Sequence, residues 1–130
     1  MLKLTDDQKK LFTEKAFAHV ATTNPDGSPQ VTPVWVEMIG DHIVFNSEKK
    51  RKKIANLERD PRVAISILDP ANPYHYLEVR GHVVEITTDG ANEGIDRLAK
   101  KYMDKDRYPF HKDGDVRVVI RIEPDKVLGM

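Results

Sequence analysis

Five consecutive basic residues at positions 49–53 are the part of the sequence that most strongly suggests chemistry. The flanking residues predict a helix from about residue 48 to residue 59, which places the basic run in its first turn and a half. The N-terminal end of a helix favours anions, and each cation there is unfavourable by roughly a few tenths of a kcal/mol. A bound phosphate would relieve this conflict, and Ser47 is placed both to cap the helix and to donate to a phosphate oxygen.

Two of these basic residues have helical positions that keep them near the buried face. Lys53 lies next to Ile54 and four residues before Leu57, so it flanks the apolar stripe instead of pointing straight into water. Arg51 lies one turn before Ala55. We therefore interpret Arg51 and Lys53 as candidate phosphate ligands.

Two other interpretations of the basic run stay open on the residues alone. It could be a solvated charged face of the helix, partly neutralised by Glu48, Glu58 and Asp60. It could also be a nucleic-acid patch, but the net charge of the chain is zero and the rest of the sequence supplies no basic stripe. We therefore expect no nucleic-acid partner.

Several other kinds of site are excluded or left without support. The chain has no cysteine, which excludes disulfides, thiolate metal sites and cysteine nucleophiles. Its five histidines are scattered without metal-ligand spacing, so no metal site is expected. There is no Walker loop, no Gly-x-Gly-x-x-Gly fingerprint and no nucleophile elbow. The tyrosines and the single tryptophan could stack on a ligand ring, although packing in a core or a dimer is the default explanation for each of them.

The elements that must position the basic run are mostly strands. The apolar pattern and the turn signals predict strands at residues 17–23, 30–38, 42–46, 62–68, 74–87 and 116–122. Helices are expected at residues 6–16, where Thr5 and Gln8 form a capping box, at 48–59, and after Asp89. Gly81, in the middle of the longest strand, suggests a bulge or a close backbone approach. Six strands with helices outside them predict an α+β protein, mainly β, with a closed or nearly closed barrel.

Length and composition are consistent with one domain over residues 1–130. The first ten residues are polar and charged, and no apolar run approaches the roughly 20 residues needed to span a bilayer. We therefore expect a cytoplasmic protein without a membrane partner.

Six segments with a characteristic order and spacing cover nearly the whole chain, at residues 19–23, 26–29, 32–35, 51–62, 76–81 and 105–109. The most specific are Thr32-Pro33-Val34-Trp35 and Arg51-x-Lys53-x-x-Asn56-Leu57. Together they resemble the pyridoxamine 5′-phosphate oxidase-like split-barrel family. Within that family they are most similar to the flavin/deazaflavin oxidoreductase branch, which uses coenzyme F420.

This resemblance implies a six-stranded antiparallel split β-barrel of the FMN-binding type that forms a homodimer, with two cofactor sites at the subunit interface. In the family, the Arg-x-Lys pair binds the phosphate of the cofactor, which assigns that role to Arg51 and Lys53. Ser47 and Asn56 stand where the family often adds polar contacts to the phosphate or the ribityl chain.

The resemblance also assigns the residues around the cofactor ring. The ring is expected to lie against one strand, largely against its backbone groups, at Thr32, Pro33, Val34 and Trp35. Tyr76 and Arg80 are expected to approach from the partner subunit. No acid or base in the sequence demands a catalytic role, because the cofactor itself carries the hydride.

The resemblance favours coenzyme F420 over FMN, because the short ring-facing strand and the Arg-x-Lys pair look more like the deazaflavin branch. The expected activity is hydride transfer to a small unsaturated or quinone-like molecule. The alternatives are an FMN-binding oxidase or electron carrier and a non-catalytic protein that stores the deazaflavin. A pyridoxamine phosphate oxidase in the strict sense fits less well, since the chain is short and the substrate-binding C-terminal segment of that enzyme has no match.

Overall fold

One antiparallel sheet forms the framework of the protein, whose residues 2–129 are described by a computed structural model. Over those residues the elements are, in chain order, α1 (Asp6–Thr13), β1 (Ala18–Thr23), β2 (Pro29–Val34), β3 (Val36–Ile39), β4 (His42–Glu48), α2 (Lys52–Arg59), β5 (Arg62–Asp69), β6 (Asn72–Thr87), α3 (Ala91–Met103) and β7 (Arg117–Gly129). The strands lie in the order β2-β1-β5-β6-β7-β4-β3, and every neighbouring pair is antiparallel. The expected class, mainly β with peripheral helices, is confirmed.

A single residue connects the two edge strands of the curved sheet. β2 and β3 are the two edges of the sheet, yet only Trp35 separates them in the sequence. Val34 pairs with Ala18 of β1, whereas Val36 pairs with Phe45 of β4. The chain therefore crosses from one edge to the other at Trp35, and we call this crossing the seam. The strand expected at residues 30–38 is for this reason two strands, and the sheet has seven strands instead of six.

The barrel interior is filled by alternate residues of the strands and closed by helices. Residues such as Val20, Ile65, Phe45 and Ile120 are almost completely buried in one continuous apolar core. Phe12 of α1 is packed into the same core. The expected capping box of α1, formed by Thr5 and Gln8, is confirmed, although the helix ends at Thr13 and not at residue 16.

The bend of β6 supports the curvature of the sheet. The β6–β7 pairing shifts register between Arg80 and Gly81, and again between Val83 and Glu85. A β-carbon on Gly81 would lie 2.5 Å from the carbonyl oxygen of Glu123, a distance that no side chain tolerates. The bulge and close backbone approach expected at Gly81 are confirmed.

The second helix begins later than the sequence predicted. It starts at Lys52 with Arg51 as its N-cap, whereas Glu48 is the last residue of β4. Ser47 is a strand residue whose hydroxyl donates to the carbonyl of Glu48 at 3.2 Å, so the prediction that it caps the helix is wrong. The pairing of β4 with β7 continues to Glu48 and Arg117, and this long-range pairing overrides the local helical pattern. No helix within residues 2–129 is long and apolar enough to cross a membrane.

Candidate functional site

A cavity of about 440 Å³ lies beside the seam. One wall is the segment Thr32–Trp35, and a second is formed by the end of β4 and the start of α2. Arg117 at the start of β7 contributes a third wall. α3 and the connection that follows it cover the remaining side with Ile95, Tyr108 and Phe110. Phe17 completes the lining, so the cavity brings together residues from separate parts of the chain between positions 17 and 117.

The cavity has a cationic side formed by Arg51, Lys53 and Arg117. Arg51 is exposed at the helix start, while Lys53 and Arg117 are half-buried. Among residues 2–129, no carboxylate oxygen lies within 4.0 Å of a side-chain nitrogen of these three residues. Burial, and then the charges of Arg51 and Arg117, lower the pKa of Lys53 below its ordinary value. Half-buried cations without an ion-pair partner favour an anionic ligand.

Arg117 is held in a fixed orientation. Its Nε donates to Oδ1 of Asn46 at 2.9 Å, and its guanidinium carbon lies 5.1 Å from the centroid of the Tyr108 ring. Asn46 is fixed in turn, because its Nδ2 donates to the carbonyl of Ala91 at 2.8 Å. Burial lowers the pKa of the Arg117 guanidinium, which stays charged at any ordinary pH.

Another part of the cavity lining is aromatic. The Trp35 ring stacks on the Tyr102 ring with centroids 5.3 Å apart and an interplanar angle of 5°, and it meets Tyr108 edge-on at 6.0 Å. Phe17 packs against Tyr102 at 5.6 Å, and Phe110 packs against Tyr108 at the same distance. The arrangement supplies flat apolar surface beside a cationic pocket, which suits a planar ring that carries an anionic tail.

Tyr102 and Lys101 of α3 form hydrogen bonds to the backbone next to the seam. The hydroxyl of Tyr102 donates to the carbonyl of Ala16 at 2.7 Å and accepts from the Val36 N–H at 3.1 Å. Nζ of Lys101 donates to the carbonyls of Phe12 and Val36 at 2.6 and 2.5 Å. Burial lowers the pKa of Lys101 to about 8. These contacts fix the backbone immediately after Trp35, and therefore the position of the Trp35 ring.

Two buried polar atoms of the cavity lining lack a partner. Within residues 2–129, Oγ1 of Thr32 and Oε1 of Glu48 are the buried side-chain oxygens without a hydrogen bond. Both residues line the cavity. Because buried polar groups are nearly always hydrogen-bonded, these two oxygens fit a ligand with polar groups between its ring and its anion.

Most of the residues that the sequence suggested lie together at this cavity. The lining includes Thr32, Pro33, Val34, Trp35, Ser47, Arg51 and Lys53. Sequence reasoning did not select the other lining residues, which are Phe17, Asn46, Glu48, Ile95, Tyr108, Phe110 and Arg117. The only local signal among these was the segment at residues 105–109, which includes Tyr108. The contribution of Arg117 depends on the pairing of β7 with β4, which no local pattern indicates.

Asn56 does not line the cavity and lies instead in a buried polar network on the other side of α2. Its Nδ2 donates to Oγ1 of Thr22 at 3.0 Å and to Oδ1 of Asn24 at 3.1 Å, and it lies 3.4 Å from Oε1 of Gln30. Its Oδ1 accepts from Arg59 at 3.4 Å. Asn56 thus joins α2 to the β1–β2 hairpin.

Tyr76 and Arg80 lie on β6, away from the cavity of their own chain. Tyr76 is 43% exposed, and Nε of Arg80 donates to Glu78 at 2.8 Å. Their expected contact with a cofactor requires a second subunit and stays a prediction.

Comparison with known proteins identifies the class to which this fold and cavity belong. Residues 4–130 match the sequence profile of the family described as pyridoxamine 5′-phosphate oxidase. The chain belongs to this family of flavin-binding oxidoreductases. No curated protein sequence matches the chain.

Solved structures share the fold over nearly the whole chain. A structure named F420 reductase is 34% identical, with a TM-score of 0.85, and the match covers 96% of this chain and 98% of that one. The group A Streptococcus protein HupZ is 22% identical, with a TM-score of 0.71, over 95% of this chain and 91% of its own. A conserved hypothetical protein from Mycobacterium tuberculosis is 22% identical, with a TM-score of 0.72, and the match covers 98% of this chain and 84% of that one.

Proposed function

We propose that this protein is an oxidoreductase that binds coenzyme F420 in the seam cavity and uses it to reduce a small organic molecule. The observation that carries the proposal is the placement of Arg51 and Lys53 in the same cavity as the segment Thr32–Trp35. The similarity to the F420 reductase over nearly the full length of both chains supports the deazaflavin as the cofactor.

The cationic side of the cavity would hold the phosphate of the cofactor. Arg51 offers a planar fork of donors and Lys53 a compact ammonium, and both bind phosphate well. Ser47 contributes a hydroxyl to the same wall, although it does not cap the helix. The unpaired oxygens of Thr32 and Glu48 would bind the hydroxyl groups of the ribityl chain.

The aromatic side would hold the ring. Thr32, Pro33, Val34 and Trp35 form the wall against which the ring would lie, and Trp35 is kept in place by its stack on Tyr102. When bound, the deazaflavin supplies the hydride that reduces the substrate. The protein's own residues orient the ring, anchor the phosphate and exclude part of the water from the cavity.

The complete site would include a second subunit. Large apolar side chains are exposed near the β5–β6 turn, including Tyr74, which is 78% exposed, and Tyr76. Exposed apolar side chains grouped in this way are typical of a protein–protein contact. A homodimer would cover them and bring Tyr76 and Arg80 of one chain towards the cavity of the other.

The first experiment is a titration of the apo-protein with coenzyme F420 and with FMN under matched salt. Trp35 is the only tryptophan of the chain and lines the cavity, so quenching of its fluorescence reports binding there. Tight binding of F420 and weak binding of FMN, followed by oxidation of reduced F420 in a screen of unsaturated and quinone-like compounds, is the expected result. A preference for FMN would move the protein to flavin chemistry. Tight F420 binding without turnover would indicate a storage protein.

The phosphate anchor is tested with single substitutions. Arg51→Ala and Lys53→Ala should each weaken cofactor binding by about 1.5–3 kcal/mol, as expected for a lost charge-assisted hydrogen bond. Lys52→Ala is the matched control, because Lys52 lies between them on the same helix and does not line the cavity. Unchanged affinity in both test variants would contradict the anchor.

A further inference from the structure

We infer that Arg117 binds the same anionic group as Arg51 and Lys53, so that the anion site consists of three cations from two distant parts of the chain. The inference rests on the proposed function, in which a phosphate-bearing cofactor occupies the cavity. The inference adds Arg117 to the proposed site. This residue lies more than sixty residues after Lys53 and is not part of the Arg-x-Lys motif.

Strand register brings Arg117 to the start of α2. Arg117, the first residue of β7, pairs with Glu48, the last residue of β4. After Glu48 the chain turns, with the Arg51 N–H donating to the Glu48 carbonyl at 3.1 Å, and α2 begins at Lys52. Arg117 therefore lies beside the turn that presents Arg51 and Lys53, and all three side chains line one cavity.

The position of Arg121 shows that this placement is specific to Arg117. Arg121 points to the same face of β7, four residues further along the strand. It forms an ion pair with Glu85, with Nε and Oε1 3.2 Å apart, and it does not line the cavity. Arg117 instead has no carboxylate within 4.0 Å among residues 2–129.

The contacts of Arg117 prepare it for binding an anion. Asn46 accepts from Nε, which uses one of the five N–H donors of the guanidinium, and the Tyr108 ring lies against its carbon. An arginine oriented in advance loses little side-chain entropy when its terminal nitrogens make the bidentate contact with phosphate. The Asn46–Ala91 hydrogen bond ties this orientation to the start of α3.

The charges of the cavity also require a counter-charge. The lining has three cations and one acidic residue, Glu48, whose Oε2 accepts from the Lys50 N–H at 3.3 Å, and the Asp115 carboxylate outside the lining also attracts Arg117. The charge of Arg117 contributes to the lowered pKa of Lys53, so the two groups repel each other in the ligand-free protein. A phosphate between them would convert this repulsion into two attractive contacts.

The alternative role for Arg117 is a purely structural one, in which it supports Tyr108 and Asn46 without contacting the ligand. The two roles make different predictions for ligands with and without a phosphate. If Arg117 is purely structural, its substitution should weaken the binding of both kinds of ligand equally. If Arg117 contacts the anion, its substitution should weaken the binding of the phosphorylated kind only.

The experiment compares two chromophore pairs by quenching of Trp35 fluorescence. The pairs are FMN with riboflavin, which differ by the phosphate alone, and coenzyme F420 with the corresponding ribityl deazaflavin, which lacks the phosphate and the tail beyond it. Arg117→Gln should weaken the phosphorylated member of the better-bound pair roughly 10- to 100-fold and leave the other member unchanged. Arg117→Lys should recover part of the loss, since it keeps the charge but not the planar fork. Arg121→Gln is the control and should bind like the wild type.

The outcomes separate this inference from the proposed function. Equal weakening of both members, or of neither, by Arg117→Gln would overturn the role of Arg117. Lys53→Gln is measured alongside. If it weakens only the phosphorylated ligand and Arg117→Gln does not, the role of Arg117 is refuted and the phosphate anchor of the proposed function stands. If the wild type binds none of the four chromophores, the proposed function fails and this inference fails with it.

Discussion

Lys53 shows at the scale of a single residue how the cavity couples charge to ligand binding. Its pKa is lowered from 10.5 by burial first and then by Arg51 and Arg117. A bound phosphate favours the charged ammonium and raises that pKa again. Binding of a phosphate would therefore take up a proton at pH values between the Lys53 pKa of the free protein and that of the complex, and the affinity would fall as the pH rises through this interval.

The pH dependence can be measured directly. We expect the affinity for the phosphorylated cofactor to decrease between neutral pH and the ordinary lysine range, because Lys53 loses its proton there while the phosphate of the ligand stays ionised. Burial lowers the pKa of Arg117, but its guanidinium stays charged throughout this range. In Lys53→Gln the affinity should be lower at neutral pH and its decrease in this range should be smaller. An identical pH profile in Lys53→Gln and the wild type would contradict the prediction.

At the scale of elements, Asn56 is the polar connection between α2 and the β1–β2 hairpin. The start of the helix presents Arg51 and Lys53 to the cavity, and β2 contributes the wall against which the ring is proposed to lie. The hydrogen bonds of Asn56 to Thr22 and Asn24 thus set the distance between the two sides of the cavity.

Asn56→Ala should lower the free energy of unfolding by about 1–3 kcal/mol, because it leaves buried polar groups without their partner. Urea denaturation measures this loss. The control is Asn92→Ala, an exposed position on α3, where the change should be close to zero. Cofactor affinity should also fall in Asn56→Ala, whereas inorganic phosphate should inhibit binding as well as before, since it contacts only one side of the cavity.

Tyr102 is the polar connection between α3 and the backbone next to the seam. Tyr102→Phe removes the hydroxyl that joins Ala16 to Val36 but keeps the ring that stacks on Trp35. We expect a loss of about 1–2 kcal/mol in the free energy of unfolding with little change in Trp35 fluorescence. Tyr102→Leu should change the emission as well, because the stack is lost. Asn92→Ala, at an exposed position on the same helix, is again the control, and an equal effect there would contradict the assignment.

At the scale of the whole molecule, the proposed site needs two chains. If Arg80 acts across a dimer interface, a heterodimer of one Lys53→Gln chain and one Arg80→Ala chain has one site without either defect and one with both. Such a heterodimer, purified with two different tags, should regain wild-type affinity in one of its two sites. Sedimentation should first show a dimer.

The control heterodimer combines one Lys53→Gln chain with one Arg51→Ala chain. Both residues belong to the same cavity of a single chain, so each site keeps one defect and neither recovers. Failure of the first heterodimer to recover any affinity would refute the contribution of Arg80 across the interface.

Elements that form through interactions between neighbouring residues could be predicted from the sequence, whereas those that depend on distant segments could not. The capping box of α1, the bulge at Gly81 and most of the strands depend on neighbouring residues, and these predictions are confirmed. The start of α2 was placed too early, because β4 continues its pairing with β7 to Glu48. A local helical pattern cannot report how far a distant strand extends.

The sequence by itself determined the mainly β class, the family and a basic segment that suits a phosphate. The class and the basic segment follow from alternation of apolar residues, turn signals and charge within short stretches of chain, and the family follows from the resemblance of six ordered segments. Only the tertiary structure decided that the chain crosses between the sheet edges at Trp35, that Asn56 faces the hairpin and that Arg117 joins the cavity. Each of these depends on strand register or helix packing between segments far apart in the sequence, and a shift of one residue in register would turn the side chains to the opposite face.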